Sequence, residues 1–247
     1  MRFHNYILFL SVIALTCNHC HKKDICEDFQ NVYLYPKLPP NHTMTSEEVD
    51  RYVDLPLHIA KCMSTDSLIQ TILNYPYIGL FFAGATPQEG YGIVESQFSG
   101  LKELESRSDK GECLLKKYQN WNPLDMDTSW SLLDIGNFMV NGANLEIIQS
   151  QYSNLRSLDS SQFKELFLRS LEIYRLEQSQ LKYYGYQGLV FSSTTLARMM
   201  LVRNYGPFLR VYSSDVLVLN ITKTYTPPVG SALNLIYELA VEYSKNL

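Results

Sequence analysis

CMSTDSLIQTILNYPYIGLFFAGATPQEGYGIVESQFSGLKELESRSDKGECLLKKYQNW, residues 62–121, divides itself into short helices. Ser64 can cap a helix whose apolar residues Leu68, Ile69, Ile72 and Leu73 recur one turn apart. Asn74-Tyr75-Pro76 ends it, because the residue before a proline avoids helical angles and Pro76 has no N–H to donate. A next helix over 77–84 would be apolar all round (Ile78, Leu80, Phe81, Phe82) and therefore buried. Thr86-Pro87-Gln88-Glu89 is a capping box with proline at the first helical position, and Tyr91, Val94 and Phe98 share the face that follows. Asp109-Lys110-Gly111-Glu112 repeats the logic, with Leu114, Tyr118 and Trp121 as the stripe. So many starts in so few residues predict short helices in an array, close to the average helix of ~11–12 residues or below it.

These residues also carry a resemblance. Met63-Ser64-Thr65-Asp66-Ser67-Leu68, Leu73-Asn74-Tyr75-Pro76, Gln88-Glu89-Gly90-Tyr91 and Phe98-Ser99-Gly100-Leu101-Lys102-Glu103-Leu104 look like an uncharacterised family of secreted or lipid-anchored helical proteins of Bacteroidetes-type bacteria. The likeness covers about residues 50–120. It implies an envelope location and a helical fold, and carries over no catalytic residue.

The N-terminus points the same way. Arg2 precedes the apolar run Tyr6–Leu15, too short for a permanent membrane span and suited to an export signal. The run ends in Leu15-Thr16-Cys17, like a lipoprotein processing site with Cys17 as the lipid-bearing first residue, although Thr16 stands where a smaller residue is usual. The expected division is a signal peptide over 1–16, a lipid-attachment cysteine and flexible tether over 17–44, and a single helical domain over 45–247. Export permits disulfides among Cys20, Cys26, Cys62 and Cys113, whose pairing sequence leaves open alongside free buried thiols. A net charge of −4 with no basic cluster argues against nucleic acid. The eighteen tyrosines read first as packing material.

Working outward, Thr45-Ser46-Glu47-Glu48 is another capping box, and Pro56 opens a short helix through Cys62. A helix is expected over about 129–154, with Leu145, Ile148, Tyr152 and Leu155 on one face. The clearest amphipathic pattern is 161–182, where Phe163, Phe167, Ser170, Tyr174, Gln178 and Leu181 recur by three or four. Tyr183-Tyr184-Gly185-Tyr186-Gln187-Gly188 breaks it, a helix follows over 194–204, and Gly206-Pro207 stops that one. Residues 208–225 are rich in β-formers around Ser213-Ser214-Asp215 and admit a small hairpin. The last helix is 229–244. The fold class is all-α, about ten antiparallel helices in a layered or superhelical array, without a strict repeat.

Motifs for chemistry are few. Cys17-Asn18-His19-Cys20-His21 has the spacing of a c-type haem attachment, yet lies against the signal sequence, and a lipid on Cys17 would take one of its thiols. His58 and Cys62, four apart on one helix, could pair as base and nucleophile or hold half a zinc site; a surface histidine and a core cysteine is the plainer reading. Asp125-Met126-Asp127-Thr128-Ser129 alternates oxygens but lacks the glycine and distal glutamate of a calcium loop, so it reads as a turn capping the next helix. Gly90-Tyr91-Gly92 sits inside a helix and is no dinucleotide loop. Asn41-His42-Thr43 and Asn220-Ile221-Thr222 match the glycosylation pattern, a coincidence behind a bacterial-type signal. Tyr183, Tyr184 and Tyr186 could present rings to a sugar or peptide, against the alternative that they only pack at a helix end. The expectation is a non-enzymatic, envelope-anchored binding or scaffold module. It would contact an envelope protein or glycan and touch the membrane only through its lipid. No catalytic residue, metal or cofactor is assigned. The alternative is a hydrolase using His58 and Cys62 or carboxylates spread over several helices.

Overall fold

The computed structural model describes residues 31–40 and 43–247. The signal peptide, Cys17, Cys20, Cys26, the haem-like spacing and the Asn41 sequon lie outside the described residues or reach beyond them. Among the described residues there is no strand, and the fold is all-α as expected. The first half holds α1 (Ser46–Val53), α2 (Leu57–Cys62), α3 (Thr65–Leu73), α4 (Pro87–Gln97), α5 (Ser99–Ser106) and α6 (Lys110–Gln119). The second holds α7 (Leu132–Gln149), α8 (Tyr152–Arg156), α9 (Ser160–Ser179), α10 (Leu181–Val202), α11 (Gly206–Ser214), α12 (Val216–Thr224) and α13 (Gly230–Ser244).

The start signals act largely as read. Thr45 closes a full capping box with Glu48, and Ser64 accepts from Ser67 N. Thr86 accepts from Glu89 N, while the Glu89 carboxylate reaches past the cap to Ala85 N at 3.0 Å. Asp109 is a correction: it makes no side-chain cap and instead accepts from Thr65 Oγ1 at 2.8 Å, fastening α6 to α3. Residues 78–82 form a 3₁₀ turn rather than an α-helix, with Phe81 inside and Phe82 half out. Asp127 accepts from Ser129 N within its turn, and the cap of α7 is Ser131.

One continuous apolar core runs from Val53 to Ala240. Its axis is α10, where every residue from Leu189 to Met200 is buried. A helix enclosed on all sides must also hide its polar groups. Thr194 and Thr195 do so by donating back to the carbonyls of Val190 and Phe191, four residues earlier, at 2.8 and 3.1 Å. α9 makes the most extensive pair with α10, and α7, α12 and α13 complete its surroundings.

Further sequence expectations are corrected. The break expected at Tyr183–Gly188 falls earlier, at Gln180, and α10 runs through those residues; Gly206-Pro207, expected to stop a helix, opens α11. The hairpin over 208–225 is the helix pair α11 and α12. Asp215 caps α12 through Leu217 N and Val218 N, and Val218, Ile221 and Thr222 then fall on one buried face, so burial at helical spacing overrides β-propensity. The helix expected over 129–154 is two, α7 and α8, parted at Ser150-Gln151. The tether expected over 17–44 is, over its described part, a docked segment. Tyr33 N donates to Thr71 Oγ1 at 3.0 Å, Tyr35 Oη donates to Thr71 O at 3.2 Å, and the Tyr35 ring meets Tyr75 edge-on.

Gly90 explains the glycine pair in α4. A Cβ there would lie 2.3 Å from the Phe81 carbonyl oxygen and 2.5 Å from that of Leu80, so the helix rests directly on the backbone of the 3₁₀ turn. At Gly92 a Cβ would meet nothing within 4 Å. Gly90→Ala is therefore expected to cost about 1–3 kcal/mol or more, because backbone cannot swing aside. Gly92→Ala should gain about 0.5–1 kcal/mol from helix propensity. Urea unfolding of the two single variants checks the opposite signs.

Candidate functional site

A cleft of about 360 Å³ opens where α7, α9 and the first turns of α10 converge. One wall is α7, through Met139, Val140 and Ala143; the other is α10, through Tyr183, Tyr184, Gln187 and Phe191, and Phe82 of the 3₁₀ turn closes one side. Gly185 shapes the second wall. At φ 55° and ψ −173° it adopts a conformation reserved almost wholly for glycine, and it kinks α10 there. Tyr183 and Tyr184 precede the kink, Phe191 follows it, and the three end in one lining.

Glu146 of α7 and Glu177 of α9 also line the cleft, though only 1% and 3% exposed. Tyr118 Oη donates to Glu146 Oε1 at 2.6 Å, and Ser192 Oγ donates to Glu177 Oε2 at 2.7 Å. Among the described residues no hydrogen bond reaches the second oxygen of either carboxyl, and no cationic side chain lines the cleft. Burial pushes Glu146 up to about 8, and burial together with the neighbouring Glu146 raises Glu177 well above the carboxylate range. Both shifts favour the protonated carboxyl. Tyr184, 4% exposed, donates to Pro123 O at 3.4 Å, so its ring faces the cleft while its hydroxyl is spoken for.

A second polar cluster is structural by contrast. Arg198, 1% exposed, donates to the carbonyls of Thr222 (2.8 Å), Ser150 (3.3 Å) and Lys223 (2.9 Å), to Tyr225 Oη (2.9 Å) and to Gln88 Oε1 (2.7 Å). Its guanidinium also lies over the rings of Tyr225 and Tyr152. Every nitrogen is used, which leaves nothing for a ligand. A polar groove of about 240 Å³ between α3, α6 and α7 is similarly self-paired: Lys117 donates to Gln70 Oε1, and Gln70 Nε2 to Asn74 Oδ1 at 3.1 Å.

The sequence-predicted residues scatter. Tyr183 and Tyr184 stand in the cleft, whereas Tyr186 lies against the start of α13, where a Cβ on Gly230 would meet its ring at 2.8 Å. Cys62 is disulfide-bonded and offers no thiol beside His58; Cys113 is a free buried thiol whose ionisation burial and nearby Asp66 and Asp109 oppose. No metal-holding cluster occurs among the described residues, nor does any helix there have the length and apolarity to cross a membrane.

Glu146 and Glu177 were missed. The pattern Phe163, Phe167, Ser170, Tyr174 continues by three to Glu177 as naturally as by four to Gln178, and the structure buries Glu177 and exposes Gln178. In α7, every residue from Asn144 to Gln149 is buried, so no stripe singles out Glu146. Comparison with family models, with curated proteins and with solved structures finds no match to this chain.

Proposed function

We propose that the protein is a non-enzymatic binding module of the bacterial envelope, exported by residues 1–16 and anchored through an acyl chain on Cys17. Its ligand seat is the cleft between α7, α9 and α10. The observation that carries this reading is that cleft itself: concave, walled by aromatic and aliphatic side chains, with two polar groups converging at its base, which is the usual make-up of a binding pocket. Such walls fit a protein side chain or a small apolar ligand better than the hydroxyl-rich face of a glycan. Saturable binding of a neutral apolar fluorescent probe such as N-phenyl-1-naphthylamine, abolished by Ala143→Trp with the melting temperature kept, is the expected result. Equal binding by parent and variant would remove the cleft from consideration. Intact mass of the chain expressed with its own N-terminus tests the anchor: a cut before Cys17 plus acyl mass is expected, and an uncut N-terminus would overturn it.

The pairing of Glu146 with Glu177 favours one second reading, a hydrolase using the two carboxyls as acid and base. Such a pair needs one member held ionised at working pH, and here burial raises both. Turnover of nitrophenyl glycosides or esters that is lost in Glu146→Gln would decide for the enzyme.

A further inference from the structure

We propose that the cleft receives an organic cation, an ammonium or guanidinium carried on an apolar body, with Glu146 and Glu177 as its counter-charges and the aromatic wall as its seat. This rests on the reading of the cleft as a ligand seat and names what that seat selects.

Three features converge. The first is the pair of nearly inaccessible carboxyls at the base, each with one oxygen held by a hydroxyl and the other without a hydrogen bond among the described residues. A buried carboxyl is retained at a cost unless something charged or hydrogen-bonding completes it. The second is the absence of a cation from the lining, although this chain neutralises buried charge elsewhere with its own groups: Lys110 pairs with Glu105 at 2.7 Å. The third is the wall, which Tyr183, Tyr184 and Phe191 line with aromatic rings, groups that attract a cation and repel an anion; the chain's own Lys182 already lies over the Tyr183 ring, 5.3 Å from its centroid. Carboxyls alone would suit a hydroxylic ligand, and rings alone any apolar one; together they suit a cationic head with a greasy stem.

The charged groups around the pair define how binding responds to pH. Glu146 of α7 and Glu177 of α9 interact electrostatically, Tyr118 approaches from α6 and Tyr184 from α10, Tyr174 lies near Glu177 on α9, and Tyr225 lies near Glu146. The tyrosines stay neutral, because burial raises all of them. A bound cation therefore ionises a carboxyl and expels its proton. Affinity for a cation should rise with pH toward about 8, by up to about tenfold per unit for one proton released.

The test is calorimetric titration of the full chain with n-hexylammonium and with 1-hexanol, its neutral counterpart, at pH 6, 7 and 8, with N-acetyl-lysine methylamide as the peptide-borne ammonium. Expected are hexylammonium binding at least about tenfold tighter than hexanol at pH 8, strengthening from pH 6 to 8, and loss of that preference in Glu146→Gln and Glu177→Gln. A lysine derivative that outbinds hexylammonium assigns the cation to a partner's side chain, and the reverse order to a free amine; either supports the proposal. Hexanol binding as tightly as hexylammonium at every pH overturns the cation while leaving the cleft a seat for neutral ligands. Neither probe binding at any pH overturns the cleft and the cation together. Should a glutamine variant fail to fold, the pH dependence of the parent's preference decides alone.

Discussion

Arg198→Met is expected to destabilise the chain by about 3–5 kcal/mol, because it strips the donor from several buried acceptors at about 1–3 kcal/mol each. For a chain of this length that lowers the melting temperature on the order of 10 °C. Among the described residues no carboxylate pairs with Arg198. Its charge is met by carbonyls at two helix ends, Ser150 after α7 and Thr222 and Lys223 in the last turn of α12, where the helix dipoles present their negative poles. Methionine leaves those carbonyls and Gln88 Oε1 without this donor, while Tyr225 Oη keeps only Gln151 Nε2 at 3.3 Å and its bond with Ser150 Oγ. Arg198→Lys keeps the charge and loses the planar fork, so it should fall between parent and methionine. Thermal melting of all three checks the order. A methionine variant as stable as the parent would mean that the carbonyls find water and that the guanidinium was dispensable.

The second large effect is on the pH profile. Burial raises Glu146 and Glu177, so between the ordinary carboxylate value of 4.5 and about 8 the folded chain holds protons that the unfolded chain has released. Stability from this source is fully present below the unfolded value and is lost as pH rises through the window, at up to about 1.4 kcal/mol per pH unit for each carboxyl. Glu48 and Asp127 are shifted downward, and their contributions are lost only as pH falls below the window. Glu95, raised by partial burial, slopes in the same direction in parent and variants alike. Urea midpoints from pH 5 to 8 should therefore decline in the parent, decline less in Glu146→Gln, and cross so that the variant is the more stable at pH 8. A parent that gains stability over that range would show both carboxyls ionised and satisfied, against the geometry.

Local chemistry made the helical ends legible. Ser64, Thr86 and Thr45 cap where their spacing to the next carboxylate or hydroxyl said they would, because a cap is written in four consecutive residues. Asp109 was misread for a reason outside that window: Thr65, distant in sequence, claims its oxygen. The centre was harder. α10 shows no stripe because its second half has no wet side, and its Ser192-Ser193-Thr194-Thr195 looks like a surface until Thr194 and Thr195 give their protons to i−4 carbonyls and Ser192 gives its own to Glu177. Of the site, the tyrosine wall could be read from Tyr183 and Tyr184, while the carboxyls could not. Nothing local marks Glu177 as inward until Tyr174 and Phe167 are oriented, and nothing distinguishes Glu146 in a helix segment that is enclosed throughout.

The enclosure of α10 has a kinetic side. Its amides can reach solvent only when the whole body opens, so they should be the slowest in the chain to exchange for deuterium. Closing that enclosure also waits on α13, which packs against both α9 and α10, and on the meeting of Arg198 with Gln88, 110 residues apart. The centre is thus sealed only by residues drawn from both halves of the chain.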